Sequence, residues 1–147
     1  MARRPPITDT ELRRLLALRT NLRRFLRWSE EQATRAGVTP AQHQLMLAVR
    51  GHPGPEPPSI GDIAAHLLVR HHSAVGLIDR AERAGLVVRH RDGDDHRQVK
   101  VTLTARGAEI LDSLSAEHLE ELYRLGLLAP DVDGLDREPE AERGPDA

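Results

Sequence analysis

The densest chemistry in the chain lies at residues 91–104, RDGDDHRQVKVTLT, where Asp92, Asp94 and Asp95 crowd around Gly93 next to His96 and Arg97. Carboxylates gathered in this way suit a cation loop, a hydrolytic site or a tight turn. An EF-hand calcium loop opening at Asp92 needs glycine at its sixth position and glutamate at its twelfth. Arg97 and Leu103 stand there instead, so that use fails. His71 and His72 are a second concentration of possible ligands, but adjacent helical residues point to different faces and chelate one ion poorly. The eight histidines include no HxxxH pair, and the absence of cysteine excludes disulfides, thiol catalysis and thiolate zinc centres. No nucleophile stands beside a base. Neither an enzyme nor a bound cofactor is expected, and no metal site is assigned.

What remains for residues 91–104 is a turn, and the flanks agree. LVVRHR (86–91) is rich in strand formers, and QVKVTL (98–103) alternates, with Val99, Val101 and Leu103 on one face. Asp92, Gly93 and Asp94 are turn formers, so the two segments form a β-hairpin whose long loop projects as an arm.

The elements that must position this hairpin are helical. Thr8 with Glu11, Thr39 with Gln42, and Ser59 with Asp62 have the spacing of capping boxes and announce three helix starts. Pro40 fits the first position of the second helix, where its missing donor is harmless. The first helix is expected over residues 9–36, ending at Gly37, with Leu12, Leu15, Leu16, Leu22, Phe25 and Leu26 at helical spacing between arginines. It is long for so small a chain, so its apolar stripe needs a cover. A short buried helix follows at 40–50. Four prolines and two glycines then make 51–59 a loop. A third helix starts after Ser59, with Ile60, Ile63, Ala64, Leu67 and Leu68 on its inner face. After a break near 69–71, a fourth helix carries Val75, Ile78 and Ala81 and stops at Gly85, in the place of a left-handed cap. A last helix starts after Thr104 with Ile110, Leu111, Leu114, His118, Leu119, Leu122 and Leu125 on one stripe. The acidic, proline-rich residues 129–147 lack periodicity and are expected to be disordered.

The chain's 147 residues suit one domain, and with only 2% aromatics the core must be aliphatic. The net charge of −2 conceals +5 over residues 1–37, +2 over 59–106 and −9 over 107–147. Local sign governs encounter with a polyanion more than the total does, so the balance leaves nucleic acid open as a partner. No apolar run is long enough to span a membrane and no secretory leader follows the basic start. A cytoplasmic location without membrane contact is expected. Twenty arginines to one lysine suggest a bacterium of high GC content.

In order, the third and fourth helices and the hairpin make a helix-turn-helix followed by a wing. Arg70, His71, His72 and Ser73 then occupy the first turn of the recognition helix, where side chains meet base edges. The segment LIDRAERAGLVVRHRDGDDHRQVKVTLTARG, residues 77–107, resembles the MarR family of bacterial regulators. Asp79 and Arg80 match that family's Asp-Arg pair in the recognition helix. Gly85, Leu86 and Val87 match its Gly-Leu-Val, Asp95 and Arg97 its Asp-x-Arg in the wing, and residues 103–107 its Leu-Thr-x-x-Gly.

The resemblance implies a mainly α fold with a small β-hairpin wing. A winged helix-turn-helix lobe at 39–104 would be flanked by N- and C-terminal dimerisation helices at 8–37 and 105–128, with the acidic tail at 129–147. It implies a homodimeric, ligand-responsive repressor that reads a pseudo-palindromic operator in double-stranded DNA. Arg97 would enter the minor groove, and Asp95 would brace the turn by pairing with Arg91 or Arg89. Arg80 and Lys100 join the DNA-binding set. A small-molecule effector is expected between the dimerisation helices and the lobe, with Trp28, His43, Met46 and His118 as its candidate contacts. Two other uses of the scaffold compete, a histidine-based metal-sensing regulator and a winged module for protein binding.

Three features depart from the family pattern. Gly126 and Pro130 interrupt the C-terminal helix, the loop at 51–58 is long, and Gly76 stands where relatives carry a larger polar residue. Close helix packing is the expected reason for Gly76.

Overall fold

The computed structural model describes residues 3–91 and 98–130. Its elements are α1 (Asp9–Arg35), α2 (Pro40–Arg50), α3 (Ile60–Leu67), α4 (His71–Arg83), β1 (Val87–Arg91), β2 (Val99–Leu103) and α5 (Ala105–Arg124). None of these helices is long and apolar enough to cross a membrane.

All three expected capping boxes form with both reciprocal hydrogen bonds. At α3 the Ser59 N–H donates to Asp62 Oδ2 at 2.9 Å, and the Asp62 N–H donates to Ser59 Oγ at 3.1 Å. Gly37 and Gly85 follow their helices with φ of +83° and +74°, a left-handed turn open to glycine at little cost. Leu68 breaks this pattern. The sequence places it on the inner face of α3, but the helix closes at Leu67. Leu68 takes the left-handed region itself (φ 55°, ψ 41°) and is 92% exposed. A Cβ in that region meets the following carbonyl, at a cost of about 1–2 kcal/mol.

The core lies in the lobe. Leu45 and Met46 from α2, Ile63 from α3, Ile78 from α4, and Leu86, Val87 and Val101 from the hairpin are fully buried. β1 and β2 pair antiparallel, from Val87 with Leu103 to Arg91 with Val99. Val101 is sealed in the core, while Val99 and Leu103 are half-buried. The proline-rich loop ends on this sheet: the Val101 N–H donates to the Pro58 carbonyl at 3.0 Å, and Ser59 bridges to Lys100. The loop thereby supplies a third, minimal edge that periodicity does not reveal.

Gly107 explains the end of the Leu-Thr-x-x-Gly motif. A Cβ there would sit inside the Leu86 carbonyl, so only glycine lets α5 start against the hairpin. Gly76 has no such constraint. The nearest group to an added Cβ is the flexible Arg80 guanidinium at 3.3 Å, so close helix packing is not its reason.

The two outer helices are packed very differently from the lobe. Of the 27 residues of α1, only Ser29 and Ala33 are buried. Leu12, Leu15, Leu16, Leu18, Leu22 and Leu26 are all exposed, Leu16 to 63%. α5 buries Leu111, Leu114 and His118 but exposes Leu119, and it stops at a Leu125 cap followed by left-handed Gly126. The interruption expected at Gly126 is therefore present.

Candidate nucleic-acid interface

The start of α4 is shaped by what it lacks. Arg70 is its N-cap residue (φ −73°, ψ 154°) and makes no side-chain cap hydrogen bond. No side chain therefore caps the first-turn N–H groups, whereas in α1, α2 and α3 a hydroxyl accepts from the N–H of the third residue. Free N–H groups and the positive helix end attract phosphate. Arg70, His71, His72 and Ser73 are exposed around this end, while Ala74, Leu77, Ile78 and Ala81 hold the opposite face in the core. Packing thus presents the four residues to solvent, as α4 reaches the surface of the lobe.

The hairpin is tied to this helix through Arg89. Its Nη1 lies 2.6 Å from Asp79 Oδ1, its Nη2 donates to Glu82 Oε1 at 3.1 Å, and its backbone N–H donates to Glu82 Oε2 at 3.0 Å. Two carboxylates one helical turn apart thus grip one guanidinium, with the planar fork geometry that arginine offers and lysine does not. The Arg89 hydrogen bonds, side chain first and then backbone, hold the Glu82 carboxyl below its usual range. The sequence suggests Arg91 or Arg89 as a partner for Asp95; in the structure Arg89 is held by the Asp79 and Glu82 carboxylates. Asp79 follows helical spacing toward β1, and this was the available signal for the contact. Asp95 and Arg97 lie outside the described residues.

The other expected DNA-facing residues are spread more widely. Arg80 is exposed on the C-terminal half of α4, two turns beyond the free N-terminus. Arg91 is exposed at the end of β1. Lys100 pairs with His90 across the hairpin and bridges to Ser59, so it sits at the start of α3. There its charge helps depress the Asp62 carboxyl, though the Ser59 backbone hydrogen bond contributes most.

The residues expected to meet an effector converge at the joint between α1, α2 and α5. The His118 ring centre lies 4.8 Å from that of Trp28, 4.7 Å from His43 and 5.7 Å from Phe25. His118 Nδ1 is 2.6 Å from the Leu114 carbonyl, which only accepts, so Nδ1 carries the proton. Nε2 is then the acceptor for the Ser29 hydroxyl at 2.7 Å. His43 is only 3% exposed, and its Nδ1 has no hydrogen-bond partner. Burial, and secondarily the neighbouring His118, lower its pKa to about 4. Met46 is wholly buried in the lobe core. Trp28 and His43 thus meet His118 in tilted and edge-on geometry, with Met46 in the core proper.

The model of the MarR family matches residues 36–98. The HTH-type transcriptional regulator FarR of Neisseria gonorrhoeae is 34% identical over 62 residues, which cover 42% of this chain and 42% of FarR. The chain thus spans less than half of that relative's length. Among solved structures, AbsC, a MarR family transcriptional regulator from Streptomyces coelicolor, is similar with a TM-score of 0.67 at 23% identity, over 86% of both chains. A mutant of S. aureus MepR bound to an oligodeoxyribonucleotide is similar with a TM-score of 0.62 at 18% identity, over 86% of this chain and 87% of that one. These two likenesses establish the winged-helix fold.

Proposed function

We propose that the chain is a member of the MarR family, a sequence-specific regulator of transcription that binds double-stranded DNA as a homodimer. The observation that carries the proposal is the uncapped start of α4, which presents Arg70, His71, His72 and Ser73 to solvent on a helix braced against a hairpin. The recognition helix would enter a major groove and the wing, through Arg97, the adjoining minor groove. Arg80, Arg91 and Lys100 would contribute to phosphate attraction, so binding weakens steeply as salt rises. That the similar MepR mutant is bound to an oligodeoxyribonucleotide supports this reading.

The leucine stripe of α1 supports the dimer, since so much exposed apolar surface marks an interaction site. Residues 8–37 and 105–128 would form the dimer arm and 39–104 the reading lobe. Two copies would place their recognition helices about 34–36 Å apart on a pseudo-palindrome. Repression is the mode proposed, in the cytoplasm, relieved by a small effector at the joint that includes Trp28, His43 and His118. An effector that empties the operator must favour one state by roughly 5.5 kcal/mol.

Footprinting on the DNA upstream of the protein's own gene tests the proposal. A protected two-fold repeat is expected, and Arg70→Ala should weaken binding to it by roughly 1–3 kcal/mol. Equal affinity for that DNA and for unrelated DNA would overturn it.

A further inference from the structure

We propose that His52 and His66 form a binding site for a divalent late transition metal, with Asp62 orienting the first of the two rings. His52 comes from the loop after α2 and His66 from the last turn of α3. His52 Nδ1 and His66 Nε2 lie 2.8 Å apart, and the ring centres are 5.2 Å apart at 73°. Two imidazole nitrogens therefore aim at one point from two separate elements. The same ring's other nitrogen, His52 Nε2, lies 3.7 Å from Asp62 Oδ2, too far for a hydrogen bond yet near enough to favour a proton there. Asp62 and His66 stand four residues apart on α3, which puts both on one face of the helix.

This arrangement fixes the tautomers. With its proton on Nε2 toward the carboxylate, His52 offers a lone pair at Nδ1, and His66 Nε2–H fills it. A metal ion takes the place of that single hydrogen. The proton leaves His66 Nε2, the exposed Nδ1 of the same ring takes one up from water, and both rings remain neutral ligands. Imidazole nitrogen suits zinc, nickel and copper. Nitrogen–metal distances of about 2.0–2.1 Å require the two nitrogens to separate by roughly half an ångström. The exposed side chain of His66 can supply that movement. A carboxylate on the far nitrogen of a ligating histidine is the usual outer partner of such a ligand. Among the described residues no three His, Asp or Glu side chains converge as a ready-made chelate, so water completes the coordination and binding is weaker than at a structural zinc centre. The consequence is mechanical. The metal would pin the proline-rich loop, which also carries the Pro58 edge of the sheet, to the helix that leads into α4.

The probe is zinc chloride, titrated calorimetrically into the full chain at pH 7.5 without DNA. One equivalent per chain is expected, with a rise in melting temperature. His66→Gln and His52→Gln should each weaken uptake at least tenfold and lose the thermal shift. Asp62→Asn, which keeps an acceptor for the Ser59 N–H, should weaken it by about tenfold. A His71→Gln/His72→Gln double variant should take up zinc like the unmodified chain. Circular dichroism on the apo variants separates ligand loss from misfolding. Absence of saturable uptake, or uptake that survives in both His52→Gln and His66→Gln, would overturn the proposal. DNA affinity plays no part in this readout, so it fails or stands separately from the regulator reading.

Discussion

The lobe and the arm use the same residue type to opposite ends. In α2, five of eleven residues are buried, and its leucine and methionine at positions 45 and 46 are lost entirely from solvent. In α1, leucines at helical spacing are just as regular, yet six of them remain exposed. The difference lies in what faces them. α2 is surrounded by α3, α4, α5 and β2, whereas α1 meets the rest of the chain mainly through its C-terminal third, at Ser29 and Ala33. Periodicity therefore reports that a face is to be covered without saying by what. A stripe that no described element of its own chain covers fits the second copy proposed above.

The largest effect should come from charging that stripe. Leu15→Glu with Leu22→Glu should raise the dissociation constant of the proposed dimer roughly a thousandfold, about 4 kcal/mol for two leucines that no longer bury. Circular dichroism of the lobe should stay intact. Sedimentation that shows the double variant still dimeric would remove the contrast between arm and lobe.

The seam where the arm meets the lobe comes next. Gly107→Ala should destabilise by about 3 kcal/mol in urea unfolding, because the new methyl group overlaps the Leu86 carbonyl and the backbone must give way. A cost near zero would mean that α5 can slide on the hairpin.

Acidification tests the same seam from its other end. The folded pKa of His43 is about 4 against an ordinary 6.5, so the unfolded chain binds the proton more readily. The stability this provides is complete above about pH 6.5 and is lost as pH falls toward 4. It amounts to about 2 kcal/mol lost by pH 5. Comparing melting curves of the unmodified chain and His43→Phe from pH 7.5 to 5 isolates this share. Equal slopes would show that His43 is not responsible.

The smallest change is a gain confined to the lobe. Leu68→Gly should add about 1 kcal/mol by relieving the left-handed backbone, since the leucine is almost wholly exposed and loses little packing. A lower melting temperature would instead reveal that its side chain is needed in the folded state.

Much of the site could be read without coordinates because its signals are local. A capping box needs two side chains three residues apart, and all three appear where Thr8, Thr39 and Ser59 announce them. The glycine stops at 37 and 85 follow from backbone sterics of single residues. Arg89 was harder. Its two carboxylates are seven and ten positions away, and a nearby aspartate at the wing offered an equally plausible partner. Only the crossing of α4 over β1 selects Asp79 and Glu82. Leu68 differs from its expected place for a related reason: the α3 periodicity extends to it in sequence, but the helix has already closed at Leu67.

The sequence by itself determined the order of the elements, the helix starts and which residues stand at the start of α4. Each of these depends on hydrogen bonds and steric limits within a few positions. Tertiary structure alone decided the meetings across long separations: His118 with Ser29 and His43, Pro58 with Val101, and His52 with His66. Those contacts depend on how helices pack in three dimensions, and the free energy that fixes them is shared by the whole core and not encoded in any short stretch.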